Sequence, residues 1–468
     1  MRKILPALLL ILMACSFLSP VHSGEPQAAA PAFKVITHPD GPLYVGDKVS
    51  FEVFSATQAS LSNQAVRITL GNQNLGEVDI EPFGMGARQQ ATFYWAWDTQ
   101  GLEAGDYALR FSLLPDESQW EETFSLRPAA DLPPAEVEAR WKSVNTDCCV
   151  LHYLSGTDAE KDLEMLKIMV AAQAAEVESR FGAKFKGKTP ITFLPRVLGH
   201  GGFTSDGIYV SYLQQNYAGN ATQQVIHHEM VHWLDGQQHS GLRLPILQEG
   251  LAVYLSEGHF KKEPILPRAA ALLDLGWYIP LNQLADSFYS SHQHEISYIE
   301  AAALVSYLVA TYGRDEFDTF YRNIPPAPGS SQAEALDAAL QTHFETSPAR
   351  LEKDFTEFLR QQAVADATRT DLRLTIAFYD TVRRYQRELV PSAYFLYAWL
   401  PNIPTMRQRG IVADLLRSPS SAINQQIETL LVSADASLRA GDYTAAEADI
   451  RAVNVMLNLY QYWGNKLR

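Results

Sequence analysis

His228 and His232 stand four residues apart, with Glu229 directly after the first of them. On a helix that spacing places two imidazoles one above the other on one face, where both can reach a single ion. Glu229 is turned too far round such a helix to be a good ligand but lies close enough to act on a metal-bound water, which makes it the candidate general base. A tetrahedral zinc that keeps one position open needs a third protein ligand. Glu249 offers it, on a second helix-compatible run (Leu247, Leu251, Ala252, Leu255) that follows a loop containing Gly236, Gly241 and Pro245. The chemistry of such a set is hydrolysis: zinc lowers the pKa of its water to about 7 and polarises a carbonyl, and the base carries the proton to the leaving group.

The elements that must position these residues are legible around them. Asn220-Ala221-Thr222-Gln223 reads as a helix N-cap with its capping-box partner, Val225, Ile226, Val231 and Leu234 form an apolar stripe, and Gly236 suits a left-handed stop. The histidine pair is therefore expected on a helix. His227 has Val231 at its own four-residue partner position and should point away from the pair. His239, His259, His292 and His294 have no motif support, and Glu257 reads as an ordinary helix-end charge.

The run His228-Glu229-Met230-Val231-His232, followed by Glu249-Gly250-Leu251-Ala252, resembles the gluzincins of the peptidase MA-like group. The resemblance covers about residues 138 to 360 and implies an α+β zincin-like metallopeptidase domain. It also implies one catalytic zinc on His228, His232 and Glu249, and Glu229 as base. Tyr298-Ile299-Glu300-Ala301-Ala302 opens a helical stretch at a place comparable to that of the family's tyrosine, so the resemblance implies that Tyr298 stabilises the oxyanion as a neutral hydrogen-bond donor. The glycine-x-methionine-glutamate-asparagine signature of the related aminopeptidases is missing, which favours internal cleavage of peptides over removal of terminal residues.

The chain opens Met1-Arg2-Lys3, an apolar run from Ile4 to Ala14 and then small and polar residues, the pattern of a secretory signal. Two processing sites compete: Val21-His22-Ser23 before Gly24 suits ordinary signal peptidase, and Leu12-Met13-Ala14-Cys15 resembles a bacterial lipobox with Cys15 as the lipid-bearing residue. The protein is expected outside the cytoplasm, periplasmic, extracellular or at the cell surface. A lipid would be its sole membrane attachment, since no later run offers the roughly 20 apolar residues of a spanning helix. The 468 residues allow about three domains. A formal charge of −15 disfavours nucleic acid and anionic membranes as partners. Cys148 and Cys149 are adjacent and would project to opposite faces of a strand, so buried free thiols are expected, with a strained vicinal bond as the alternative.

Three parts follow one another, so the expected class is multidomain. Residues 33–127 alternate with period two (Val49-Phe51-Val53, Val66-Ile68-Leu70, Phe93-Trp95-Trp97, Tyr107-Leu109-Phe111-Leu113), which predicts an all-β immunoglobulin-like sandwich. Pro128 to Pro134 reads as a stiff, extended linker. Next come a strand at 149–154, a helix opened by a Thr157–Glu160 capping box and ended by Gly182, strands at 191–194 and 207–212 flanking a glycine turn at 199–202, and the histidine helix. In the family's layout the last of these strands borders the cleft and pairs with extended substrate, and Gly201 and Gly202 leave room for its backbone. Residues 281–359 read as helical with a break at 325–329, and 371–468 as an all-α C-terminal region with Tyr379, Val382, Tyr385 and Leu389 on one face. Its segment Ala440 to Glu447 resembles one tetratricopeptide turn, too little for a repeat, and predicts a helical hairpin.

The leading expectation is a zinc peptidase acting on peptides or proteins. Two others compete: a zinc hydrolase of a non-peptide substrate, and a cell-surface binding or assembly protein with a relict metal site. An intact Glu229 speaks against the relict, because loss of the base is the easiest route to inactivation.

Overall fold

The computed structural model describes residues 33–466 apart from 56–60, 62, 116–117, 220, 240, 290–292 and 326–330. The leader, Cys15, His292 and Asn220 lie outside the described residues. At the N-terminus two sheets share one core. The first is ordered β1 (Phe33–His38), β3 (Lys48–Ser55), β7 (Arg88–Asp98), β6 (Glu81–Phe83) and is antiparallel throughout. The second is ordered β2 (Leu43–Tyr44), β9 (Ser118–Arg127), β8 (Gly105–Leu114), β4 (Ala65–Leu70), β5 (Gln73–Asp79), with only β2 and β9 parallel. The period-two residues do what their spacing demands: Val49, Phe51, Val53, Val66, Ile68, Leu109 and Phe111 are all fully buried between the sheets. Each such side chain contributes about 1.5–3 kcal/mol through its burial.

One member of the pattern breaks rank. Trp95 takes a positive φ of 50° where the β3–β7 register shifts between Val49 and Phe51, and this turns its ring out of the sandwich core. It packs instead with Leu154, Leu194, Met406 and Leu415, and its indole N–H donates to Asp414 at 3.1 Å. Phe93 and Trp97 stay inside. The linker also differs from expectation: residues 128–134 are no extended rod but a 3-10 turn, Ala129–Asp131, leading into a short helix, Pro134–Glu138. Proline at the first helical position suits this, since its missing N–H would have no helical partner there.

The middle of the chain carries a mixed sheet in the order β10 (Trp141–Asn145), β11 (Cys149–Leu154), β12 (Thr189–Leu194), β14 (Ile208–Ser211), β13 (Gly202–Thr204). β11, β12 and β14 run parallel, and β10 and β13 are antiparallel margins. This corrects two expectations. β14 is paired on both sides, so the margin beside the site is β13, a strand that starts at the last glycine of the expected turn. The capping box at Thr157 does not form: its hydroxyl donates back to the Leu154 carbonyl, and the helix breaks at Asp162 before resuming as Leu163–Phe181, ended by Gly182 in the left-handed region. The adjacent cysteines are bonded to each other rather than free, because Cys148 lies in the bend before β11 and not on the strand.

Helices fill the rest. The histidine helix is Thr222–Gln238, two residues longer than Gly236 suggests, and the Glu249 helix is Pro245–Ser256. The helices Leu281–Ser287, His294–Tyr312, Arg314–Arg322, Gln332–Phe344 and Pro348–Arg360 follow. Helix Asp366–Leu389 adds Leu372 and Ile376 to the central core and Tyr379, Val382 and Tyr385 to a second core, shared with the hairpin Ala422–Ala440 and Tyr443–Lys466. Between them, residues 390–417 wind back in short turns to the sandwich and to β11 and β12. Among the described residues no helix is long and apolar enough to cross a membrane.

Candidate metal centre

Two glycines decide how closely the elements around the histidine helix can pack. A Cβ on Gly202 of β13 would lie 2.3 Å from Val225 Cγ1 and 3.2 Å from Glu229 Cγ, so any side chain here would have to push Val225 aside for the sheet margin to lie against this helix. The close approach that Gly202 permits here is to the protein's own histidine helix. A Cβ on Gly250 would lie 2.5 Å from the Ala301 carbonyl oxygen, so the Glu249 helix and the helix His294–Tyr312 touch backbone to backbone. That contact gives the Glu249-Gly250 pair a physical reason: it brings Tyr298 to the carboxylate. Gln224 ties the other side, its amide donating to the Ser256 and Gly258 carbonyls at 2.8 and 2.6 Å.

The three expected ligands converge. His228 Nε2 and His232 Nε2 are 2.9 Å apart, and each lies 3.1 Å from Glu249 Oε2. This is the one group of such side chains among the described residues placed to hold a metal ion. Glu229 stands beside it, its Oε2 accepting from the Thr204 hydroxyl of β13 at 2.8 Å. The other oxygen of Glu249, Oε1, accepts from Tyr289 at 2.5 Å. All face a cleft of about 550 Å³, which Tyr298, Trp233 and Arg243 also line.

Electrostatics follow from burial. Burial pushes Glu229 up to about 7, against the opposing pull of His232 and Thr204. His228 is pushed down to about 4, first by burial and with Glu249 opposing. At His232 burial works in the same direction, but Glu249, Glu229 and Asp235 outweigh it and lift the imidazole to about 9. Glu249, in spite of burial, is held well below the usual carboxylate range by His232 and His228. Burial, then Glu249, raises Tyr298 well above the ordinary phenol, so it stays a neutral donor.

No model of a known protein family and no curated protein matches this chain.

Of the remaining histidines, His227 points away, its Nδ1 2.9 Å from Gln173 Oε1. His239 lies beside Tyr321 and Asp235. His259 and His294 come closer than their lack of motif suggests. His259 stacks on Tyr298 at 4.4 Å and holds Glu295 Oε2 at 2.6 Å, and His294 stacks on His200 at 3.6 Å. Glu257 caps its helix and pairs with Arg180 and Lys262, as a helix-end charge does. Sequence reasoning missed Tyr289, Thr204 and His259. Tyr289 follows a helix end and Thr204 sits on a three-residue strand, so neither belongs to a periodic pattern. His259 had one available signal, its position three residues past the end of the Glu249 helix.

Proposed function

We propose that this chain is an exported zinc peptidase of gluzincin type, with an N-terminal immunoglobulin-like sandwich, that hydrolyses internal bonds of peptides or proteins. The observation that carries the reading is the convergence of two imidazole nitrogens and one carboxylate oxygen at 2.9–3.1 Å, with a second carboxylate, Glu229, alongside in an open cleft. Ligands about 2.0–2.1 Å from a common tetrahedral centre lie about 3.3 Å from one another, so the donor set fits a small ion to within a few tenths of an ångström. Two nitrogens and one oxygen are donors that zinc accepts. Bound there, zinc would supply a Lewis acid for the scissile carbonyl and lower the pKa of water at the open position.

The chain's own residues supply the rest. Glu229, held by Thr204 and lifted to about 7 by burial, is matched to taking a proton from attacking water near neutral pH and returning it to the departing amine. Tyr298, protonated in the same cleft, donates toward an oxyanion that forms only in the transition state. β13 has a strand on one side only, and its outer margin can receive an extended peptide as an added strand. A leader-like N-terminus supports action outside the cytoplasm.

The deciding experiment is mass-spectrometric profiling of a proteome-derived peptide library incubated with the zinc-loaded protein and with Glu229→Gln. Cuts are expected with the first and not with the second, which should still bind zinc. An unchanged pattern in Glu229→Gln removes the base from the mechanism. A library left intact by both proteins turns the reading toward a non-peptide substrate or a binding role.

A further inference from the structure

We propose that the turn joining β6 and β7 of the N-terminal sandwich forms part of the substrate cleft, and that Met85 at its tip selects a large apolar side chain of the peptide. The inference rests on the peptidase reading and adds to it the class of residue recognised. Met85 is 48% exposed, and a lone exposed methionine at a turn tip ordinarily means nothing. This one lines the same cleft as His228, Glu229 and Glu249, although it belongs to a different part of the chain.

Its position is fixed from both sides. Gly84 takes a φ of 67°, and a Cβ there would lie 2.3 Å from the Leu396 carbonyl oxygen. A Cβ on Gly86 would lie 2.6 Å from Tyr397 Cε1. The Gly86 N–H donates to the Leu396 carbonyl at 3.0 Å, and the Tyr397 hydroxyl donates to the Gly86 carbonyl at 3.3 Å. The Arg88 guanidinium lies over the Tyr397 ring at 4.7 Å and pairs with buried Glu52 at 3.1 Å. The turn is therefore clamped to the short helix Phe395–Tyr397, and the first residue of that helix, Phe395, lines the cleft with Met85. Phe203 and Trp233 add further apolar surface to the same cavity. A thioether on an unbranched chain moulds itself to several apolar shapes, which fits a preference for leucine-, methionine- or phenylalanine-like side chains rather than one residue.

The test profiles the same peptide library with wild type, Met85→Ala and Met85→Glu, each checked for an unchanged melting temperature. Wild type should favour large apolar residues at one position relative to the cut. Met85→Ala should reduce that preference about tenfold, the scale of a lost apolar pocket contact. Met85→Glu should redirect the same position toward lysine and arginine, a gain that lost packing alone does not produce. Binding gives an independent readout: in a Glu229→Gln background, Met85→Ala should weaken capture of the best-cut peptide about tenfold. Identical preferences and affinities in all three proteins would overturn the role of Met85 while leaving the peptidase reading intact. An absence of Glu229-dependent cuts in wild type would overturn both.

Discussion

Glu249 uses its two oxygens differently: Oε2 faces both imidazoles and Oε1 takes the Tyr289 hydroxyl at 2.5 Å. Groups that orient a ligand in this way commonly matter to metal affinity nearly as much as the ligand itself. Tyr289→Phe should weaken zinc binding by about 10–100-fold, read by competition with a chromophoric chelator. Equal affinity in the two proteins would show that packing alone orients the carboxylate. Tyr298 sits on the other side, stacked on His259 and 6.1 Å from the His228 ring. Tyr298→Phe should lower kcat by about 10²–10³-fold with little change in KM, since its bond forms in the transition state. The contrast between these tyrosines marks what a sequence discloses. His228, His232 and Glu249 are legible because ligands on helices must keep a register. Tyr298 is reached only through a resemblance. Tyr289, on a turn, leaves no trace in any periodic pattern.

At the level of elements the site depends on two places where a side chain has no room, Gly202 against Val225 and Gly250 against Ala301. In the first the obstacle is a side chain, which can shift. In the second it is a carbonyl, which cannot move without its helix. Gly250→Ala should therefore cost about 1–3 kcal/mol by overpacking and should displace Tyr298 with the helix that carries it. Urea denaturation and kcat measured on the same variant test this, and a fully active, fully stable Gly250→Ala would refute the close contact. The expected strands at 149–154 and 191–194 and the helical hairpin at the C-terminus are found because each is long enough to show a period. β13 has three residues, too few for any period, and its glycine signals a turn just as well. The bulge that expels Trp95 is invisible for another reason: alternation predicts a face only while the register holds.

Across the whole molecule the three parts are pinned by buried charges. Arg417 joins Asp47 of the sandwich at 2.6 Å and also pairs with Glu136, all three side chains less than a tenth exposed. Arg196 bonds to Asp40 and Ser392, and Asp371 meets Lys261 and Arg268 at 2.5 Å each. Arg417→Ala would strand two buried carboxylates and should destabilise by about 3–5 kcal/mol, with amide exchange accelerating first in the sandwich. Acid should weaken the assembly in two stages. His200 and His294 are held well below the usual histidine value of 6.5, chiefly by burial, so the unfolded chain binds their protons first. Their contribution is complete above pH 6.5 and each loses up to about 1.4 kcal/mol per pH unit below it. Asp40 is held below 3.8: burial works against this, but Arg196 and His38 outweigh it, so its contribution persists above pH 3.8 and disappears below. Melting temperatures between pH 8 and 3 check both, and a curve flat from 7 to 5 would contradict the first. None of these pairs is legible in the sequence, because partners hundreds of positions apart share no local pattern. The clamp between Gly84, Gly86 and the Leu396–Tyr397 backbone has a further consequence in time. A growing chain acquires both histidines and Glu249 long before Phe395 emerges, so the cleft gains its last wall only near the end of synthesis.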